Sequence, residues 1–313
     1  MLATASLQAG EASRTQSQMT HRFYLVDVFA ERPYSGNPLA VIVGDALPET
    51  TMQLLAAETN YSETTFVAPV PEEDGGYRVR IFTPAREIAF AGHPILGTAA
   101  VLRRQLAGAP QERLSLNLAV GQISITFETD PDGLEVAWFR APPVVLGPTC
   151  AREEMAAALG ISAADVDSTS PVQQLSAGTS AMVVPLTSLD ALRRSRLDLA
   201  AYAGLEDRGH PPLIYLFCTE THQAANDFCA RFFFETHGVR EDPATGNGAA
   251  FLGAYLLEHR RLPVSSFSVR IEQGHEVRRP SLIMLRARTV NGVQEISVGG
   301  SVISTVRGEL MRN

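Results

Sequence analysis

Cysteine is scarce and badly spaced for structural work. The chain has three, Cys150, Cys218 and Cys229, an odd number with no Cys-x-x-Cys pair, so neither a disulfide framework nor a zinc knuckle is indicated. A reducing compartment, the cytoplasm, is expected. No apolar stretch approaches the roughly 18 residues a membrane helix needs, so no membrane association is expected. Residues 1–18, MLATASLQAGEASRTQSQ, also lack the charged start and apolar stretch of a signal peptide. Residues 1–19 are expected to form a disordered extension, with Met19 as an alternative start. Basic clusters are missing too. The formal charge is -8, and the doublets Arg103-Arg104 and Arg260-Arg261 suit helix C-termini as well as any binding surface. Nucleic acid is therefore not an expected partner.

What is present is apolar material, 45% of 313 residues, enough for two packed cores. Period-two alternation marks strands at Gln122–Phe127, Leu134–Trp138 and Phe267–Ile271. Too few helix-length segments separate the strands for all of them to be parallel. Helices are expected over Pro48–Ala57, over Ala151–Leu159 with Gly160 as C-cap, from Pro94 to about Leu106, and from Gly248 to about His259.

The last two helices occupy corresponding places. "REIAFAGHPILGTAAVL" from Arg86 matches "REDPATGNGAAFLGAYL" from Arg240 at a constant offset of 154 residues. Strand-like segments, Tyr77–Phe82 and Ala230–Phe234, precede both. An offset near half the chain favours two similar domains whose helix N-termini share one cleft. The boundary is expected near Arg140-Ala-Pro-Pro-Val, where prolines interrupt the strand pattern.

Gly246-Asn247-Gly248 is not a nucleotide loop, because no Lys-Ser/Thr follows and the sixth position of a dinucleotide fingerprint is Phe251. A glycine at a helix start instead lets an anion approach unpaired backbone amides. A small carboxylate is the natural ligand. A metal hydrolase built on His222, His237 and His259 lacks any usual ligand spacing, and neither a metal nor a cofactor is expected.

These motifs together resemble the phenazine-biosynthesis PhzF-like isomerases, relatives of diaminopimelate epimerase. The resemblance runs from Phe23 to about Gly308. It rests on "VDVFAERPYSGNPLAVIV" at 26–43, "ETNYSETTFV" at 58–67, "RIFTPAREIAFAGHPILGTAAVL" at 80–102 and "REDPATGNGAA" at 240–250, with "QG" at 273 and "RPS" at 279 in support. It implies an α/β (α+β) fold of two pseudo-symmetric domains, 20–140 and 141–298, each a curved, mostly antiparallel sheet around a central helix. The tail, 299–313, returns to the first domain, and the molecule is a homodimer.

The resemblance makes Glu63 the group that moves a proton between carbons, with His93 and Asp242 as the other polar active-site residues. Glu63 stands where an apolar strand begins, a setting that raises a carboxyl pKa and suits one group acting first as base and then as acid. Gly92, Gly246 and Asn247 at the helix starts would hold the substrate carboxylate, with Asn37 and Ser62 as further contacts. The epimerase relatives use two cysteines where this chain has Ala91 and Thr245, so two-thiol racemisation is excluded. Asn247 replaces the Ser of well-known members; an amide and a hydroxyl differ in reach and donor count, which argues against the phenazine intermediate as substrate. The expected function is a cofactor-independent isomerase or epimerase acting on a small amino- or hydroxy-carboxylic acid. The alternative is a small-carboxylate-binding or interaction protein on the same fold that turns nothing over.

Overall fold

The computed structural model describes residues 21–105, 111–130, 133–233, 241–262 and 264–311. The expected extension at 1–19 and the expectations that touch Leu106, Phe234, His237, Arg240 and 312–313 lie outside the described residues.

The first run of elements is β1 (Arg22–Val28), β2 (Asn37–Val43), α1 (Glu49–Thr59), β3 (Glu63–Val67), β4 (Tyr77–Phe82), β5 (Glu87–Ile88), α2 (Gly92–Gln105), β6 (Arg113–Leu118), β7 (Gly121–Thr129) and β8 (Glu135–Arg140). The second begins with β9 (Val145–Cys150), α3 (Arg152–Ala158), β10 (Val172–Ala177), β11 (Thr179–Pro185), α4 (Leu189–Arg194), α5 (Leu199–Asp207) and β12 (Leu213–Cys218). It continues with β13 (Phe228–Phe233), β14 (Glu241–Asp242), α6 (Gly246–Glu258), β15 (Ser266–Gln273), β16 (Ser281–Val290), β17 (Val293–Gly300) and β18 (Val302–Glu309).

The pairing repeats with a shift of nine strands. β1 is antiparallel to β2, β2 parallel to β3, and β3 antiparallel to β4. β4 makes a short hairpin with β5 and runs parallel to β6, which leads antiparallel to β7 and β8. β10 to β17 repeat this sequence pair for pair. The outer strands are exchanged in chain order: β9 lies antiparallel to β10, while the closing β18 lies antiparallel to β1. One further antiparallel pair, β8 with β17, ties the two sets together. This is a mixed α/β fold dominated by antiparallel pairs, as expected.

Each set of strands surrounds one helix. Every residue of α2 from Gly92 to Leu102 is buried, and so is every residue of α6 from Gly246 to Leu256 except Asn247. A helix apolar on all sides is stable only when covered on all sides. α2 packs on β1, β2, β3, β6 and β8, and α6 on β10, β11, β16 and β17. Each fully buried large side chain in these layers, such as Ile95 or Phe251, contributes about 1.5–3 kcal/mol of transfer free energy.

Both central helices start two residues earlier than the sequence suggests, at Gly92 rather than Pro94 and at Gly246 rather than Gly248. Proline lacks a backbone N–H, and the first turn of a helix has no use for one. Pro94 therefore sits inside the first turn, and Gly92-His93 and Gly246-Asn247 become part of the helix starts.

Candidate active site

Glu63 opens β3, a strand buried along its whole length between β2 and β4. Its side chain is thereby carried below the surface, and the residue is 6% exposed. His93, in the first turn of α2, is 3% exposed, and Asp242, ending β14, is 5% exposed. All three line one cavity of about 70 Å³, together with Gly92, Gly246, Asn247, Thr83, Arg86 and Thr179. The chain brings together residues from positions 63 to 247 because the two helix starts meet there.

That meeting is a backbone contact. A Cβ placed on Gly92 would come within 3.0 Å of the Gly246 Cα, and one placed on Gly246 within 3.1 Å of the Gly92 Cα. A side chain at either position would push the two helix starts apart by a few tenths of an ångström, so this close approach favours glycine at both. The amides of the first turn of α6 receive no cap from Thr245, whose hydroxyl instead donates to Asp242 Oδ2 at 2.5 Å. Neither His93 nor Asp242 spends its side chain on a cap.

A hydrogen-bonded frame holds Asp242. Asn37 Nδ2 donates to Asp242 Oδ1 at 2.8 Å and to the Ala244 carbonyl at 2.9 Å, and Ser62 Oγ donates to Oδ1 at 3.1 Å. Gln273 Nε2 donates to the Asp242 carbonyl at 2.9 Å and to Thr245 Oγ1 at 3.1 Å, so Gln273 fixes both the acid and its hydroxyl partner. The sequence alone does not single out Thr245 and Gln273 as site residues. The only signals were that Thr245 stands where relatives carry a cysteine and that Gln273 belongs to the Gln-Gly motif.

The same amide orients His93. Asn37 Nδ2 faces two oxygen acceptors, which fixes the amide with its nitrogen inward, and His93 Nδ1 lies 3.3 Å from that nitrogen. Both hydrogens of the amide go to the oxygens and its nitrogen cannot accept, so a proton on Nδ1 would have no partner; Nδ1 is the unprotonated nitrogen, and Nε2 carries the hydrogen. Nε2 stands 3.4 Å from Glu63 Oε2. Both atoms are buried without a hydrogen-bond partner.

Burial sets the proton affinities. It lifts Glu63 well above the ordinary carboxyl range, and the charge of Asp242 adds to the rise. Burial lifts Asp242 to about 6 against the pull of its hydroxyl and amide donors, and drops His93 to about 3. The imidazole is neutral across the physiological range and serves as a hydrogen-bond donor. A carboxyl with raised proton affinity beside a neutral donor, in a cavity floored by two helix starts, is equipped to shuttle a proton at carbon while the amides hold an anion.

Other chemistries find less here. The sequence contains no lysine, so a lysine imine is closed to this chain. Two groups of possible metal ligands come together among the described residues, Cys150 with Glu154 and His210, and His222 with Cys229 and Glu272; neither includes a residue lining this cavity. In the second group Glu272 already accepts from the His222 and Gln223 amides and from Asn226, and the Arg193 guanidinium donates to His222 Nδ1. His259 bonds Gln173 through Nε2. All three cysteines are free and buried.

A buried carboxyl and a neutral imidazole thus share one cavity at the junction of two corresponding helix starts on a mixed α/β fold. The chain belongs to the PhzC-PhzF family, described as phenazine biosynthesis-like proteins, whose model matches residues 26–308. It is 35% identical over 291 residues to trans-2,3-dihydro-3-hydroxyanthranilate isomerase of Pseudomonas aeruginosa, covering 92% of this chain and 98% of that protein. Among solved structures it is similar to a PhzF-family phenazine biosynthesis protein of Bacillus anthracis, with TM-score 0.85, 24% identity and coverage of 94% and 99%. It is also similar to a "predicted epimerase" of Pseudomonas aeruginosa, with TM-score 0.78, 30% identity and coverage of 94% and 100%.

Proposed function

We propose that the chain is a PhzF-like isomerase that moves a proton between carbons of a small amino- or hydroxy-carboxylic acid, with Glu63 as the acid–base group. The observation that carries this reading is the pair of bare, buried atoms Glu63 Oε2 and His93 Nε2 on one cavity. In this scheme the first-turn amides of α2 and α6 take the substrate carboxylate and the charge that develops as the C–H bond breaks. Glu63 removes the proton from one carbon and returns it to another. His93 Nε2–H donates to the substrate or to the ionised Glu63, and Asp242, held by Asn37, Ser62 and Thr245, takes a substrate amine or hydroxyl. On this reading residues 20–140 with the returning tail, and residues 141–298, act as two domains with the site between them. Relatives whose names describe isomerases support the reaction class.

The test is proton NMR in D₂O with a panel of small amino and hydroxy acids, including trans-2,3-dihydro-3-hydroxyanthranilate, on wild type and Glu63→Gln. Deuterium entering a substrate carbon with wild type, and at least about a hundredfold more slowly with Glu63→Gln, is the expected result. Equal exchange by both proteins would remove Glu63 from the mechanism. Saturable binding without exchange across the panel would favour a carboxylate-binding protein.

A further inference from the structure

Among the described residues that line this cavity there is one guanidinium, that of Arg86. Arg86 sits in the turn between β4 and β5, and its backbone is clamped there by Thr83: the Arg86 amide donates to Thr83 Oγ1 at 3.0 Å, and the Thr83 hydroxyl donates to the Arg86 carbonyl at 2.9 Å. The neighbouring acid, Glu87, is engaged by Arg80 at 2.7 and 2.5 Å. No acceptor for the Arg86 side chain exists among the described residues, although the residue lines the same cavity as Glu63, His93 and Asp242. The other arginine–carboxylate pairs in the chain show what such a group does when a partner is present, as Arg286 does with both oxygens of Glu128.

Size and charge point the same way. The cavity, about 70 Å³, is small beside the roughly 300–1,000 Å³ of a pocket that buries a whole drug-sized ligand. It takes the reacting carbon and one small anionic group against the helix starts; the remainder of a ligand lies at the mouth. Arg86 is exposed and so stands at that mouth, and Asn247 and Thr179, 3.5 Å apart through Nδ2 and Oγ1, add further polar groups to the lining. Asp242 above about 6, and Glu63 whenever it is ionised, repel an anion that arrives without compensation. A guanidinium with no internal partner supplies that compensation and offers two parallel N–H groups to a planar carboxylate.

We propose that Arg86 is a specificity-determining residue that binds a second carboxylate, so that the substrate class of this site is a small dicarboxylic acid. The first carboxylate lies at the Gly92 and Gly246 helix starts and the second on Arg86, with the reacting carbon between them beside Glu63. This inference rests on the functional reading above for its placement of the reacting carbon.

Direct binding tests it without turnover. Calorimetric titration of the full chain with succinate and with butyrate, its monocarboxylate counterpart, is compared for wild type, Arg86→Gln and Arg86→Lys. Wild type is expected to bind succinate about tenfold or more tightly than butyrate. Arg86→Gln is expected to lose that preference while binding butyrate as wild type does, and Arg86→Lys to recover part of it. Thermal unfolding unchanged by the substitutions would show that only the surface contact is altered. Equal affinity of wild type for the two acids, no saturable binding of succinate, or a preference that survives Arg86→Gln would overturn the proposal. Deuterium exchange separates this failure from that of the functional reading. Exchange of monocarboxylic acids at rates independent of Arg86 would sink the dicarboxylate class and leave Glu63 in its role. Arg86-dependent succinate binding in a protein that exchanges nothing would do the reverse.

Discussion

Glu63 Oε2 and His93 Nε2 lie 3.4 Å apart, both buried and both without a hydrogen-bond partner. Unsatisfied buried polar atoms cost about 1–3 kcal/mol each, and such strain persists where a ligand relieves it. The pair is held by neighbours on different strands and helices: β3 carries the acid, α2 carries the imidazole, and Asn37 at the start of β2 bridges to Asp242.

Asn37 is expected to act on catalysis through His93. Its amide nitrogen, which cannot accept, disfavours a proton on Nδ1, so Asn37→Ala frees the ring to exchange tautomers and removes one donor from Asp242. Nitrogen-15 NMR of labelled histidine should find His93 with its proton on Nε2 in wild type and a mixture of tautomers in Asn37→Ala. The exchange rate should fall about tenfold or more, as expected for loss of a correctly oriented group. An unchanged His93 spectrum in the variant would remove Asn37 from this role.

The proton affinities set the direction of the pH dependence. Below about 6 Asp242 is protonated, and Glu63 is held protonated well above its ordinary range, while His93 gains a proton only as pH falls to about 3. A base must first be free of its proton, so kcat/KM rises as pH increases through the apparent values of the coupled carboxyls. His93 contributes no limb near its ordinary value of about 6.5. Rate profiles for wild type and His93→Gln should therefore differ in height and agree in the position of the rising limb. A limb that disappears in His93→Gln would reverse the assignment of base and donor.

Stability responds to the same groups with opposing signs. Asp242 titrates near 3.8 when unfolded and about 6 when folded, so across that window the native state binds more protons and its stability falls as pH rises. His93 titrates near 6.5 unfolded and about 3 folded, so over the same window the unfolded state binds more protons and stability rises with pH. The two slopes offset each other in wild type. Urea unfolding of His93→Gln should show stability declining from pH 4 to pH 6 more steeply than in wild type. Parallel curves for the two proteins would contradict the burial of His93 as a neutral ring.

Much of this arrangement is legible in the sequence because it depends on local rules. Alternation marks β7, β8 and β15 over most of their lengths, and Pro48 and Gly160 bracket α1 and α3 as caps or stops. The offset between Gly92 and Gly246 identifies two helix starts that the fold then sets in contact. The short helices α4 and α5 escape notice although Ser188 and Asp198 cap them, because one or two turns carry too little periodicity to stand out. Gln273 and Thr245 escape for a different reason. Gln273 reaches back 31 residues to the Asp242 carbonyl and 28 to Thr245, whose hydroxyl in turn holds Asp242 three residues away, and nothing in the sequence around Gln273 encodes hydrogen bonds made only after β13, β14 and β15 have paired.

The contact between Gly92 and Gly246 gives the most discriminating prediction about the architecture of the site. Gly92→Ala places a methyl 3.0 Å from the Gly246 Cα and 3.1 Å from Phe139 Cζ. The first is backbone at the start of a helix buried on all sides and the second a ring in the core, so neither yields cheaply. The two helix starts must separate, at a cost of about 1–3 kcal/mol for overpacking. The melting temperature should fall, and the loss of carbon-bound proton exchange should exceed the loss of folded protein, because amides displaced by a few tenths of an ångström no longer converge on one carboxylate. Gly246→Ala should behave alike, since its methyl meets Gly92 Cα at 3.1 Å. The double variant should be less damaged than the sum of the two, because either methyl alone already forces the same separation. Strictly additive losses in stability and exchange would mean that the two glycines act at separate places, and the shared anion site at the helix starts would have to be abandoned.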